Sequence, residues 1–217
     1  MQIGSLTTGA GVATTFNREY VPAFIGIGAV NTDNPLQEFS ITVAGTVVQQ
    51  VTTQGHIQAM AKLLGESLLG ADVKVGMVMK IAGDFIANQN CQIRLVNSGV
   101  TTPAVFAFAE GKTNASPVLA GQVTIQDADN QRFNGADFDY LIVPDTNLNY
   151  ANYEFADGHT ERLEPEEIDM LFNLYNQCDA DGRLAGMHIV DNRRGNIKGV
   201  TIFASGGALK VTTVNLP

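Results

Sequence analysis

The sequence predicts an all-β fold of two similar lobes, each with one short helix. Three observations support this: a strand, turn, strand and helix that occur twice, apolar residues that alternate along several segments, and turn residues between them. The turn glycines Gly45 and Gly158 lie 113 residues apart, and the apolar faces of the two helices are offset by 111, about half of the chain. Solenoid repeats are shorter, so this spacing indicates two β lobes of one design.

The second copy of the repeat carries clear signals for the start of its helix. Pro165 suits the first position of a helix, and Glu166 and Glu167 complement the helix dipole. Strands with one helix also recur by chance in all-β proteins, so duplication is a hypothesis at this point. The first copy comprises strand 38–43, turn 44–45, return strand 46–51 and helix 54–64, and the second comprises strand 150–155, turn 157–158, return strand 159–163 and helix 165–177.

The remaining elements follow in chain order. Residues 1–17 lack charge and are rich in Gly, Thr, Ser and Ala, which indicates an extended arm or a loose edge strand. The apolar run 21–30 predicts a buried strand, and the turn residues 31–35 close it. In residues 73–81 an apolar residue occupies every second position, which predicts the clearest strand of the chain. Shorter strands are predicted at 92–96, 104–109, 118–125, 138–143, 184–190, 199–203 and 208–214.

The best candidate for a linker is the polar stretch 110–117, which contains Gly, Asn, Ser and Pro. The prediction is therefore an N-terminal lobe of residues 1–112, preceded by the extended arm, and a C-terminal lobe of residues 113–217. A chain of 217 residues is long enough for one large β domain or two small ones.

Composition excludes several classes of protein. Hydrophobic residues make up 45% of the chain and charged residues 16%, which argues against disorder. The net charge of −9 argues against direct nucleic-acid binding, because phosphate affinity comes largely from Lys and Arg. No signal peptide and no apolar run long enough to cross a membrane is expected. The low charge density indicates a surface that partners cover.

No motif predicts a catalytic, cofactor or metal site, so we expect the protein not to be an enzyme. Gly26 and Gly28 begin a dinucleotide-binding pattern, but Asn31 stands where its third glycine is needed. Cys91 and Cys178 are isolated, which favours buried free thiols over a zinc site.

Three groups of residues leave weaker alternatives open. The histidines His56, His159 and His188 lack helical metal-pair spacing, although ligands of a cupin-like barrel can converge from distant strands. Two acidic loops resemble calcium loops without the EF-hand glycine and glutamate, and ordinary surface loops are favoured. Four glutamates are better explained by a solvated helix start than by glycoside hydrolysis. The loops contain Asp127, Asp129, Asp179 and Asp181, and the glutamates are Glu161, Glu164, Glu166 and Glu167.

The order of elements resembles the major capsid proteins of tailless, membrane-containing icosahedral bacteriophages of the corticovirus type. The matching segments are EFSITVAGTVVQQVTTQGHIQAMAKLLGE and YANYEFADGHTERLEPEEIDMLFNLYNQ. The resemblance implies two jelly-roll β-sandwich lobes side by side, and a homotrimer that forms pseudo-hexagonal capsomers of a virion shell assembled in the host cytoplasm. Implied partners are neighbouring capsomers, other virion proteins and a membrane reached by the N-terminal arm, without direct nucleic-acid contact.

Three alternatives remain. The chain is short for a double jelly roll, so a single jelly roll with an extra sheet also fits its length. A second alternative is a jelly-roll receptor- or glycan-binding module, of a phage attachment, vertex or minor capsid protein, that uses surface loops 130–136 or 145–152. The third is a cupin-type metalloenzyme built around the histidines.

Overall fold

A computed structural model describes residues 2–5, 13–28, 36–64, 76–82, 89–97, 104–108, 117–176, 183–184 and 186–217. The chain divides into two compact units. The first unit contains Met1–Ala120 and Leu216–Pro217, and the second contains Gly121–Asn215. The predicted lobe boundary between residues 112 and 113 lies outside the described residues.

The described part of the first unit forms two four-stranded antiparallel sheets and one helix. Their strand orders are β1-β8-β3-β6 and β2-β7-β4-β5, so the third and sixth strands lie in one sheet and the fourth and fifth in the other. This is the arrangement of an eight-stranded jelly roll. The elements are β1 (Gln2–Ser5), β2 (Ala13–Arg18), β3 (Phe24–Gly28), β4 (Leu36–Val43), β5 (Thr46–Thr52), α1 (Gln54–Leu64), β6 (Gly76–Lys80), β7 (Cys91–Asn97) and β8 (Ala104–Phe108).

The second unit repeats this arrangement. Its described strands form the sheets β10-β16-β12-β13 and β9-β17-β11-β15, with the two-residue β14 added beside β15. Numbered from β9 without β14, these strands have the same order as those of the first unit. The elements are β9 (Leu119–Ile125), β10 (Asn130–Asn134), a 3-10 turn (Gly135–Asp137), β11 (Tyr140–Pro144), β12 (Leu148–Phe155), β13 (Thr160–Leu163), α2 (Pro165–Asn176), β14 (Arg183–Leu184), β15 (Met187–Asp191), β16 (Ile197–Ala204) and β17 (Leu209–Asn215).

The predicted duplication is confirmed at the level of strand order. In both units the helix lies between the fifth strand and the sixth, and the repeated glycine lies between the fourth and the fifth. Gly45 and Gly158 both have positive φ, 83° and 93°, which favours glycine. The two β lobes predicted from the repeat are therefore present, and each has the jelly-roll strand order that the family resemblance implies.

The two glycine turns nevertheless differ in type. In the first hairpin Val43 pairs with Thr46, so Ala44 and Gly45 form a two-residue turn, and Ala44 also has positive φ (48°). The second hairpin is longer: the N–H of Gly158 donates to the carbonyl of Phe155 at 3.0 Å. The repeat predicts that Gly45 and Gly158 occupy equivalent turns, which is correct for the strands that the turns join and wrong for the geometry of the turns.

Both helices are amphipathic and pack their apolar faces inward. Ile57, Met60 and Leu64 of α1 are buried, as are Ile168 and Phe172 of α2. A side chain of the first turn of α2 also caps that helix, because Glu167 Oε2 accepts the N–H of Glu164 at 2.8 Å. Among the described helices, none is long and apolar enough to cross a membrane.

The core of the second unit lies between its two sheets. Residues of both sheets contribute, with α2 adding Ile168. Alternate positions of β16 point inward, and the buried members are Val200, Ile202 and Ala204. This alternation leaves the other side of the sheet β10-β16-β12-β13 facing outward.

Several predicted elements differ from the structure. Of the two expectations for the N-terminal segment, an extended arm or an edge strand, the described part matches the second, because β1 and β2 are edge strands paired with β8 and β7. The loop predicted at 130–136 is strand β10 followed by the 3-10 turn, and the loop predicted at 145–152 gives way to β12 at Leu148. The strand predicted at 184–190 is broken at Gly186 into β14 and β15, because this glycine has a φ of 75°.

Candidate interaction surface

The sheet β10-β16-β12-β13 of the second unit has one outward side, called here the outer sheet face. Cross-strand pairing sets its rows: Arg132 pairs with Thr201, which also pairs with Asn152, and Asn152 pairs with Arg162. The next row contains Tyr150 and Phe203, and the last contains Asn134, Gly199, Glu154 and Thr160. A groove of about 400 Å³ crosses this face, lined by residues of all four strands.

One carboxylate on this face binds two cations. Glu154 Oε2 lies 2.7 Å from Nη2 of Arg132, and Glu154 Oε1 lies 2.7 Å from Nζ of Lys198. Hydrogen bonds from Lys198 and then from Arg132 hold the pKa of Glu154 below its usual value. The carboxylate is therefore ionised at neutral pH, and the three side chains together carry one net positive charge.

A glycine makes the contact with Arg132 possible. Arg132 belongs to β10 and Glu154 to β12, so the guanidinium must pass over the intervening strand β16. It does so at Gly199, where a Cβ atom would lie 2.6 Å from Nη2 of Arg132. Any side chain at residue 199 would displace the arginine.

Aromatic rings and an arginine stack beside the ion cluster. The rings of Tyr150 and Phe203 lie 4.3 Å apart and nearly parallel. The guanidinium carbon of Arg162 lies 3.8 Å from the centre of the Tyr150 ring, and Nη2 of Arg162 contacts Oε1 of Glu164 at 2.8 Å. Arginine and aromatic side chains with little conformational freedom are typical of protein interfaces.

The three histidines do not form a common site. His188 is fully buried and contacts Asp169 Oδ1 through Nδ1 at 2.7 Å and Asp145 Oδ1 through Nε2 at 3.1 Å. His159 contacts Asp157 at 2.5 Å and stacks on Phe155. His56 is buried in α1, in the first unit. Within the described ranges, no three His, Cys, Asp or Glu residues are placed to hold a metal ion together.

The acidic residues singled out in the sequence stabilise backbone structure instead. Asp127 accepts the N–H of Gly207 at 3.0 Å, and Asp129 accepts the N–H of Asn130 at 2.8 Å. The second acidic loop, with Asp179 and Asp181, lies outside the described residues, as does Cys178. Cys91 is a buried free cysteine.

The four glutamates lie on strand β13 and at the start of α2. Glu167 caps α2 through the N–H of Glu164, while Glu166 is exposed at the same helix start. Glu161 of β13 pairs with the buried Tyr153, so its side chain lies on the side of the strand opposite to the outer sheet face. Glu164 contacts Arg162, so it links the helix start to the outer sheet face.

The residues that build the outer sheet face were missed from sequence. Strand β10 has one buried residue, Phe133, between exposed polar ones, which produces no apolar alternation. The pattern of residues 150–155 predicts a strand, and in the observed strand β12 Tyr150 and Glu154 lie on one face. The positions of Arg132 and Lys198 depend on which strands become neighbours, and that is not a local signal.

Comparison with known proteins shows a shared fold without sequence similarity. No protein-family model matches this sequence, and no curated protein matches it either. The structure is similar to that of the major capsid protein P2 of bacteriophage PM2, with a TM-score of 0.62 and 10% identity over 97% of this chain and 93% of that chain. A quasi-atomic model of the PBCV-1 virus capsid aligns over 97% of this chain and 88% of that chain, with a TM-score of 0.44 and 8% identity.

The first likeness confirms the predicted all-β jelly-roll fold and the structural resemblance stated above. It covers nearly the full length of both chains.

Proposed function

We propose that this chain is a structural virion protein, a major capsid protein that trimerises into the pseudo-hexagonal capsomers of an icosahedral shell. The observation that carries the proposal is the end-to-end likeness to the capsid protein of bacteriophage PM2. The match includes both units. A match to a single jelly roll would be weaker support, because that fold serves many functions.

A chain with two jelly rolls can act as a building block of a shell through its shape alone. Three copies supply six similar lobes around a threefold axis, and six similar lobes approximate a hexagon that tiles a shell. Affinity then comes from lateral contacts of matched shape rather than from a bound ligand. The outer sheet face, with its stacked rings and ordered arginines, is the kind of surface that such contacts use.

The proposed partners are neighbouring capsomers and other proteins of the virion. A net charge of −9 supports a shell that does not condense nucleic acid directly. An underlying membrane is a further proposed partner of the N-terminal segment, and the proposed place of assembly is the host cytoplasm. The glycan-binding alternative loses its support, because residues 130–134 and 148–152 are strands rather than surface loops.

Oligomeric state and lattice formation test this proposal. The purified full chain should sediment as a trimer and form hexagonally packed sheets or particles that negative-stain electron microscopy can show. A monomer that persists at high protein concentration and never enters a lattice would contradict it.

A further inference from the structure

Helix α2 of the second unit exposes apolar side chains to solvent. Met170 and Leu174 are 68% and 74% exposed, the two highest values among the large apolar side chains of the described residues. They are four residues apart and therefore lie on one face of the helix, and the exposed Glu166 lies four residues before Met170 on that face. We call Glu166, Met170 and Leu174 the helix face.

The first unit provides an internal comparison, because its helix α1 occupies the same place in the strand order. The positions of α1 that correspond to Met170 and Leu174, at the offset of 111, are Ala59 and Leu63. Ala59 is fully buried and Leu63 is partly buried. The first unit therefore covers this side of its helix, whereas the second unit leaves it open. Adjoining apolar side chains that stay in water are typical of an interaction surface.

Charge determines which partner suits the helix face. Helix α2 starts with Glu166 and Glu167 and contains no Lys or Arg, so a second copy of the same helix has no cation to pair with these carboxylates. The carboxylate of Glu166 lies next to the apolar side chains. A complementary surface must therefore combine an exposed cation with apolar groups.

The outer sheet face has both. Arg162 is 56% exposed and contacts Glu164 through Nε and Nη2, while Nη1, on the other edge of its guanidinium, has no partner among the described residues. The rings of Tyr150 and Phe203 beside it are partly exposed and stack on each other, so their edges remain accessible. Methionine sulfur packs favourably at such ring edges.

The dimensions of the two surfaces agree. Leu174 follows Glu166 by eight residues of helix, which is roughly 12 Å. The strands β10-β16-β12-β13 span three strand spacings, roughly 14 Å. A helix laid across these strands with Glu166 at Arg162 therefore places Met170 near the aromatic stack on the central strands and Leu174 towards β10. The groove that crosses this face offers room for side chains of such a helix.

We infer that the helix face of one copy packs against the outer sheet face of another copy, with Glu166 at Arg162 and Met170 at the stack of Tyr150 and Phe203. The inference rests on the proposed shell function and adds a contact to it. Both surfaces are present on every copy, so the shell itself supplies the partner. In the proposed trimer first and second lobes alternate around the threefold axis, and both surfaces belong to the second lobe. The contact therefore joins neighbouring trimers.

Introducing a charge into the helix face tests the apolar part of the contact. Met170→Glu and Leu174→Glu should each form trimers but need at least about tenfold more protein to form higher assemblies, because the contact would then bury an unpaired carboxylate. Val47→Glu is the matched control, since Val47 is an exposed apolar residue of the first unit. It should assemble as the unchanged protein does. Thermal unfolding should show that all three variants fold, because each substituted side chain is exposed within a single copy.

A charge exchange tests whether the outer sheet face is the partner. Glu166→Arg brings two guanidinium groups together and Arg162→Glu brings two carboxylates together, so each variant alone should require about tenfold more protein for higher assemblies. A chain with both substitutions restores the opposite charges and should assemble at nearly the concentration of the unchanged protein. Glu19→Arg makes the same change in net charge as Glu166→Arg at an exposed position of the first unit, and it should have no effect.

Sedimentation velocity and negative-stain electron microscopy measure trimers and higher assemblies. The inference is overturned if Met170→Glu assembles like Val47→Glu, or if the doubly substituted chain assembles no better than its two single variants, since another surface would then receive the helix. A folded variant that loses its trimers overturns it too, because the contact lies between trimers. These outcomes leave the proposed function intact as long as the unchanged protein forms trimers and lattices. Failure of the unchanged protein to associate would instead contradict the proposed function itself.

Discussion

Nδ1 of His188 lies 2.7 Å from Oδ1 of Asp169, and this contact joins strand β15 to helix α2 inside the second unit. The imidazole is fully buried and the side chain of Asp169 is 8% exposed. Asp145, which contacts the other ring nitrogen, is 53% exposed. The two carboxylates bind the same imidazole, but only one of them has lost its water.

Replacing the buried carboxylate should therefore be the more damaging change. Asp169→Ala leaves a ring nitrogen of His188 without its partner in the core, and we expect the free energy of unfolding to fall by about 3 kcal/mol. Asp145→Ala removes the exposed partner and should cost less than about 1 kcal/mol. Urea unfolding of both variants at one pH measures the difference. Equal losses would show that the inner contact does not hold α2.

This contact also shows what the sequence could and could not predict. The repeated hairpin and helix were predictable because glycine, proline and alternating residues act on their immediate neighbours. The sequence does not reveal the partners of His188, because Asp169 and Asp145 lie 19 and 43 residues away. Only the packing of α2 against β15 brings them together.

The difference between local sequence signals and long-range packing also explains why β10 is not predicted and why β14 and β15 are predicted as one strand. Strand β10 offers one inward residue, Phe133, so it has no apolar row to recognise. The break at Gly186 was recognisable in principle, since Ala185-Gly186 has the same residues as the turn at Ala44-Gly45. The longer apolar pattern around it led to a single predicted strand instead.

The first glycine hairpin contains a residue that can be improved. Ala44 has a φ of 48°, a conformation that costs an L residue about 1 kcal/mol and costs glycine little. Ala44→Gly should therefore raise the free energy of unfolding by a few tenths to about 1 kcal/mol, measured by urea unfolding. Ala156→Gly is the matched control, because Ala156 lies in the second hairpin without positive φ and should lose stability. Stabilisation by both changes would refute the assignment of two turn types.

Cys91 should make stability depend on alkaline pH. Burial raises the pKa of its thiol from 9.0 to about 12, so the folded chain holds this proton more tightly than the unfolded chain. That contribution to stability is complete below pH 9 and is lost as the pH rises from 9 towards 12. Urea unfolding from about pH 8 to about pH 11 should show a fall that is less steep in Cys91→Ala. Parallel curves for the two proteins would contradict the prediction.

Two glycines of the second unit should respond very differently to a methyl group. At Gly135 a Cβ atom would lie 1.9 Å from the carbonyl oxygen of Ile197, a backbone atom that cannot move aside. At Gly199 the nearest atom, 2.6 Å away, is the end of the flexible Arg132 side chain. Gly135→Ala should therefore lower the free energy of unfolding by about 3 kcal/mol, and Gly199→Ala by less than about 1 kcal/mol.

The second variant should also release Arg132 from Glu154. Arg132→Ala should then change stability less in the Gly199→Ala background than in the unchanged protein, and a double-mutant cycle by urea unfolding measures this coupling. Because the ion pair is exposed, the coupling should be small but of the sign expected for a shared contact. Independent effects of the two substitutions would mean that the guanidinium does not need the space above Gly199 to reach Glu154.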